Sequence, residues 1–297
     1  MRCGVRSFVF VALASTALAA DPAKMGPLAV GVTTVVAVDT DRGRSLPTEI
    51  WYPAKTAGRD TPALLRTYPL ILMAHGNCGS RTNYEYLTTH LASQGFLVAA
   101  PSFIGLTQRD CDAGTATGSS NDWPFDLSFV CRTLHDVSGP LLRWAVHVRG
   151  IPTGLVGHSL GGLAVVEAAK LDPSFTTVAT LAPAELGPDP EAAHRAKLAY
   201  LVIGGTADAL ISFSAFTQPF FEGLAAPKFL VRIGGGTHSG FTDEDSLLTP
   251  EALAAQQAVT RRQTTAFFVR YLARKPKFKR ALRTSDDGTV AVTAVLK

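Results

Sequence analysis

Cysteine is scarce in this chain of 297 residues, with four in all at Cys3, Cys78, Cys111 and Cys131. No paired His or Cys spacing of the zinc type occurs, so a metal site has no support, and no cofactor is expected. Charge is sparse too: 28 Lys and Arg against 24 Asp and Glu leave a net +4, a surplus too small to argue for a nucleic-acid partner. The one basic cluster (Arg274, Lys275, Lys277, Lys279, Arg280, Arg283) comes with no DNA-binding motif and reads as solvated surface. A membrane span needs about 20 apolar residues, and the apolar run near the N-terminus is interrupted by Ser15 and Thr16, so stable insertion is not expected. No repeat, low-complexity tract or shift of composition marks a second domain.

What is present suffices for a sizeable core: 46% of residues are hydrophobic and 18% charged. The first twenty residues, MRCGVRSFVFVALASTALAA, place Arg2 and Arg6 before an apolar run from Phe8 to Leu13. They end in small residues around Ala17-Leu18-Ala19. This pattern predicts a secretory signal peptide over 1–20, cut after Ala19 or Ala20, and a secreted or periplasmic domain over 21–297. Removing two arginines and no acid lowers the charge from +4 to +2. Three cysteines then remain, an odd number for an oxidising compartment. Cys111 and Cys131 bracket a loop rich in Gly, Ser and Asn and are the expected disulfide, with Cys78 paired to either as the rival arrangement.

Short apolar runs alternate with helical patterns along the chain. Residues 28–38 and 48–54 read as an antiparallel pair, and 68–76 as a strand covered on both faces. Helical spacing at Tyr86, Leu87, His90 and Leu91 stops at Gly95, and 96–101 is the next strand. A helix over 134–148, a strand over 153–159 and a helix over 160–171 follow. Three more strands end near Ala184, Gly205 and Gly235, and a closing helix runs over 250–272. The alternation predicts an α/β fold: a mostly parallel central sheet of about eight strands, helices on both faces, and a short lid or none.

Chemistry in such a sheet collects at the carboxyl ends of its strands. There the sequence places His75-Gly76-Asn77-Cys78, then Gly157-His158-Ser159-Leu160-Gly161, then Thr206-Ala207-Asp208, then Thr237-His238. A serine hydroxyl is a poor nucleophile until a base takes its proton, and an imidazole oriented by a carboxylate does so. Ser159, His238 and Asp208 are the candidates for these three roles. A helix starting at Leu160 aims its free amides and positive dipole end at the serine, which makes the Leu160 N–H an oxyanion donor. His158 is read as packing and His75 as a buttress of its loop. His90, His135, His147 and His194 are read as surface or boundary residues. Asp189 falls in a turn composition, and Asp243 and Asp245 lie too close to His238 in sequence to orient it, so they are expected to cap loops or helices.

The strand–turn–helix setting of Gly157-His158-Ser159-Leu160-Gly161, with serine, acid and histidine in that order, resembles the nucleophile elbow of the α/β-hydrolase superfamily. The stretch HGNCGSRTNYEYLTTHLASQGFLVAAP further resembles the branch containing dienelactone hydrolase-like proteins, platelet-activating-factor acetylhydrolase-like lipases and chlorophyllases. Dienelactone hydrolases proper carry a cysteine nucleophile, so Ser159 favours the esterase and lipase side of that branch. The resemblance implies a second oxyanion donor just after His75-Gly76, at Asn77, with Cys78 as the one-residue alternative. The expected activity is hydrolysis of small or medium carboxylic esters, with a small-molecule ester substrate as the partner. An amidase or lactonase on the same residues, or a non-catalytic binding protein on the same scaffold, is the alternative. Trp123 and Phe125 in the segment 103–130 are candidate pocket walls, with packing of that segment onto the core as the alternative, and the segment 183–195 is a second candidate wall. Phe213, Phe216, Phe220 and Phe221 are expected to be helix core.

Overall fold

A computed structural model of the chain describes residues 21–184, 198–283 and 289–296. The expected signal peptide and most of the candidate wall over 183–195, with Asp189 and His194, lie outside the described residues.

Ten strands build one mixed sheet: β1 (Ala29–Asp39), β2 (Arg44–Ala54), β3 (Gly58–Arg59), β4 (Leu70–Ala74), β5 (Leu97–Pro101), β6 (Thr153–His158), β7 (Phe175–Leu181), β8 (Ala199–Gly205), β9 (Lys228–Ile233) and β10 (Val290–Val295). The helices are α1 (Glu85–Ser93), α2 (Gln108–Asp112), α3 (Trp123–His135), α4 (Leu142–Val148), α5 (Leu160–Leu171), α6 (Gln218–Gly223) and α7 (Pro250–Tyr271). The strand order is β10-β9-β8-β7-β6-β4-β5-β2-β1-β3. Strands β4 to β9 pair in parallel, while β2 joins β5 and β10 joins β9 antiparallel.

The eight expected strands are all present, flanked by the two-residue β3 and by β10. Complete burial of β4, β5, β6 and β8 explains why their sequences are nearly unbroken apolar runs. Leu87 and Leu91 of α1 and Phe267 and Phe268 of α7 pack one face of the sheet. The other face is covered by Trp123, Leu127 and Val130 of α3 with Val165 and Ala169 of α5. The helix expected over 134–148 is in fact two, because Ser138-Gly139-Pro140 interrupts it: α3 ends at His135 and α4 begins at Leu142. Phe213 and Phe221 are core, as expected.

The chain runs from β4 to β5 on one side and returns to β6 on the other, so the order of the sheet reverses between β4 and β6. In open α/β sheets, ligands bind outside the carboxyl ends of the strands at such a switch point. The segments that follow these two strands carry Gly76-Asn77 and Ser159.

Candidate functional site

The strand β6 turns into α5 within a single residue, and that residue is Ser159. Its backbone sits at φ 54° and ψ −121°, a left-handed conformation that strains any side chain but glycine and costs on the order of 1–3 kcal/mol. Close approach dictates the flanking glycines. A Cβ on Gly157 would come within 2.2 Å of the Gly161 carbonyl oxygen, and one on Gly161 within 2.4 Å of the oxygens of Ala74 and His75. The Ser159 amide donates to the Leu181 carbonyl at 2.9 Å, which fastens the elbow to β7.

Asp208 and His238 meet directly, although 30 residues separate them. His238 Nδ1 lies 2.8 Å from Asp208 Oδ2, and Asp208 Oδ1 accepts from the amides of Leu210 (2.9 Å) and Ile211 (2.7 Å). A carboxylate only accepts, so Nδ1 carries the proton and Nε2 keeps its lone pair, the tautomer a general base requires. The His238 ring also packs on that of His158, centroids 4.6 Å apart, one residue before Ser159. Among the described residues the Ser159 hydroxyl makes no hydrogen bond to His238. Catalytic hydrogen bonds of this kind are often long before substrate binds.

At the first helical position of α5 the Leu160 N–H has no intrahelical acceptor and faces the elbow side of the helix. The Cys78 amide already donates to the Leu106 carbonyl at 3.1 Å, so the one-residue alternative offers no free donor, whereas the exposed Asn77 amide has no acceptor among the described residues. His75 buttresses this loop, as its sequence context predicted. Its Nε2 accepts from the Phe103 amide at 3.0 Å, which leaves Nδ1 to donate to the Gly76 carbonyl at 2.7 Å. Burial brings the His75 pKa down to about 4 and keeps the ring neutral.

Trp123 is not a pocket wall. Its ring is fully buried, stacked on Phe103 at 4.3 Å and set against His75, because it starts α3 rather than lying in a loop. Phe125 is half exposed and borders a groove of about 310 Å³ shared with Leu160 and Leu163. The disulfide follows the rival arrangement, with Cys78, rather than the Cys111–Cys131 pair. Cys78 and Cys111 are bonded, and Cys131, on the inner face of α3, is a buried thiol 3.6 Å from Thr153 Oγ1. Asp243 caps as expected, accepting from the amides of Glu85 and Tyr86 at 2.8 Å each. Among the described residues no group of three or more His, Cys, Asp or Glu side chains is placed to hold a metal, and no helix is long and apolar enough to cross a membrane.

Sequence reading passed over Tyr84. Its buried hydroxyl lies 3.0 Å from the Gly76 amide and 3.0 Å from His158 Nδ1. No local pattern announces that contact, since 74 residues separate the two rings.

The family described as PET hydrolase-like matches residues 15–257. Bis(hydroxyethyl) terephthalate hydrolase of Streptomyces coelicolor is 26% identical over 192 residues, covering 64% of this chain and 54% of that protein. Chlorophyllase-1 of Arabidopsis thaliana is 30% identical over 133 residues, 42% of this chain and 37% of the relative. The chain thus spans about half the length, or less, of these relatives. A ferulic acid esterase structure from Streptomyces cinnamoneus superposes with a TM-score of 0.72 at 21% identity, over 90% of this chain and 97% of that one. At that identity the likeness speaks for the fold, which is that of an α/β-hydrolase.

Proposed function

The chain belongs to the PET hydrolase-like family, and on that premise we propose that it hydrolyses carboxylic esters through an acyl-enzyme on Ser159. The observation that carries this reading is the 2.8 Å contact between His238 Nδ1 and Asp208 Oδ2, at the same rim of the sheet as a strained elbow serine. Ser159 Oγ attacks the ester carbonyl carbon as His238 Nε2 takes its proton. The carbonyl oxygen becomes an oxyanion, which the amides of Leu160 and Asn77 stabilise. Removal of one such donor typically costs about 3 kcal/mol of barrier. His238 then returns the proton to the leaving alcohol, and water, deprotonated by the same nitrogen, releases the acid and frees Ser159. Asp208 holds the ring in its tautomer throughout.

The substrates in this reading are small or medium acyl esters. The relatives' names, bis(hydroxyethyl) terephthalate hydrolase and chlorophyllase among them, support an ester as the scissile bond. The N-terminal leader pattern and the Cys78–Cys111 disulfide support export to an oxidising compartment.

The test is Ser159→Ala with p-nitrophenyl butyrate and with a fluorophosphonate probe. We expect kcat to fall by at least about 1,000-fold, and the probe to label the wild type at one site per chain and the variant not at all. A folded Ser159→Ala protein that keeps more than about a tenth of the wild-type rate ends the reading. Faster turnover of matched amides or lactones than of esters would reassign the bond that is cleaved.

A further inference from the structure

His158 takes no part in the steps above, yet it is buried between the catalytic base and the loop of the proposed oxyanion donor. Its ring lies 4.6 Å from that of His238 on one side and 5.8 Å from those of Tyr84 and Phe241 on others. The Tyr84 hydroxyl connects it to the loop. An N–H only donates, so the hydroxyl oxygen accepts from the Gly76 amide at 3.0 Å; the same hydroxyl bonds His158 Nδ1, also at 3.0 Å, and donates to it where the ring proton sits on Nε2. His158 stays uncharged. Burial, with His238 as a second cause, holds its pKa well below the usual imidazole range. Burial also pushes the Tyr84 hydroxyl up, so that it remains a donor.

Two segments of the site meet at this one oxygen, through Gly76 and His158. Gly76 immediately precedes Asn77, and a Cβ placed on Gly76 would stand 3.2 Å from Ser159 Cβ, so the loop runs directly over the nucleophile. His158 immediately precedes Ser159. Its neutral ring is the shelf on which His238 rests when that residue becomes cationic. The titratable groups around the shelf are His238 with Asp208 behind it, Tyr84 itself, and Asp243, whose charge is felt at Tyr84.

We propose that Tyr84 is a positioning residue for the reaction: its hydroxyl locks the Gly76–Asn77 loop to the His158 shelf, so that oxyanion donor and general base act in register. The proposal rests on the Ser159–His238–Asp208 reading.

The test uses the full-length mature protein and p-nitrophenyl butyrate, with rates expressed per site titrated by fluorophosphonate. Tyr84→Phe keeps the ring and removes the hydroxyl. We expect kcat to fall about 10- to 100-fold with KM within about twofold, the pattern of lost alignment rather than lost binding. His158→Phe, which removes the acceptor, should lose a similar factor. His158→Gln, whose amide oxygen accepts from the hydroxyl, should recover to within about threefold of wild type. The double variant Tyr84→Phe/His158→Phe should be no slower than the worse single, because both break one link.

A purely structural role would lower Tm and leave kcat per titrated site unchanged. That outcome overturns the proposal, as do single losses that multiply in the double variant or a His158→Gln enzyme as slow as His158→Phe. Should Tyr84→Phe not fold, the His158 pair decides alone. An inactive Ser159→Ala alongside a fully active Tyr84→Phe sinks only this inference, whereas an active Ser159→Ala sinks the reading beneath it.

Discussion

Cys78 and Cys111 are joined 33 residues apart, with Cα atoms 5.8 Å from each other, and Cys78 is the residue immediately after Asn77. The bond therefore closes a long loop and fastens the proposed oxyanion segment to α2. Cys78 holds a φ of +53°, its amide donates to Leu106, and Gly79 pairs with Thr107 in an isolated parallel bridge. Replacing both cysteines by serine isolates the cross-link while nearly keeping side-chain volume. On the chain-entropy account, a closed loop of this length restricts the unfolded ensemble by about 3.7 kcal/mol. At about 2–4 °C per kcal/mol for a chain of this size, Tm should fall by about 7–15 °C. Thermal unfolding followed by circular dichroism measures this, with non-reducing peptide mapping to verify the bond in the wild type. Because the bonds from the Cys78 amide to the Leu106 carbonyl and from the Gln108 amide to the Gly79 carbonyl remain, kcat should fall only several-fold. KM should move little, since the donor acts on the transition state rather than on the bound ester. A Tm within about 2 °C of wild type would refute the argument, because the loop would then be held by its other contacts. A mapped Cys111–Cys131 peptide would refute it at the first step.

Two further outcomes follow from buried ionisable groups. His90 is fully buried rather than at a surface or boundary as expected, with Nε2 2.9 Å from the Pro22 carbonyl oxygen. Burial brings His75 and His90 to about 4, so between about pH 4 and 6.5 the unfolded chain binds protons that the folded chain refuses. This contribution to stability is full above about pH 6.5 and lost as pH falls towards 4, at up to about 1.4 kcal/mol per pH unit for each ring. Unfolding measured from pH 7 to 4.5 should show the slope, His90→Gln should flatten it, and an unchanged slope in that variant would refute the assignment. Asp126, fully buried on α3, accepts from Arg42 Nη2 at 2.7 Å and from Arg44 Nε and Nη2 at 2.7 and 2.5 Å. Asp126→Ala leaves Arg42 with Asp39 (2.7 Å) and Arg44 with Asp122 (3.4 Å) as their remaining counter-charges and should cost about 1.5–3 kcal/mol in a urea melt. A loss below about 1 kcal/mol would mean that the arginines swing out to water.

Residues that the backbone forces were legible in the sequence, and residues chosen by three-dimensional pairing were not. Gly157 and Gly161 have no room for a Cβ, so the elbow announces itself in a single line of text. Asp208 and His238 come within 2.8 Å of each other because a parallel sheet collects the ends of its strands at one rim, whatever the distance along the chain. Two misses had a readable signal. Trp123, Leu127, Val130, Cys131 and Leu134 follow helical spacing with Pro124 in the first turn, which marks α3 and turns the expected pocket wall Trp123 into core. The alternation Val290, Val292 near the C-terminus marks β10.

The disulfide is a different case. Cys131 looked like the partner of Cys111 because the segment between them reads as loop, and a loop brings its ends together easily. Once α3 forms, Cys131 turns inward against Thr153, and the thiol left facing Cys111 is Cys78, in the segment that follows β4. The helix decides between the two pairings open to Cys111, because a disulfide depends on where side chains point and not on how many residues lie between them. The Tyr84 hydroxyl belongs to the same class. Its partners Gly76 and His158 come from two different strands, so its position becomes meaningful only when β4 and β6 lie side by side at the point where the sheet reverses order.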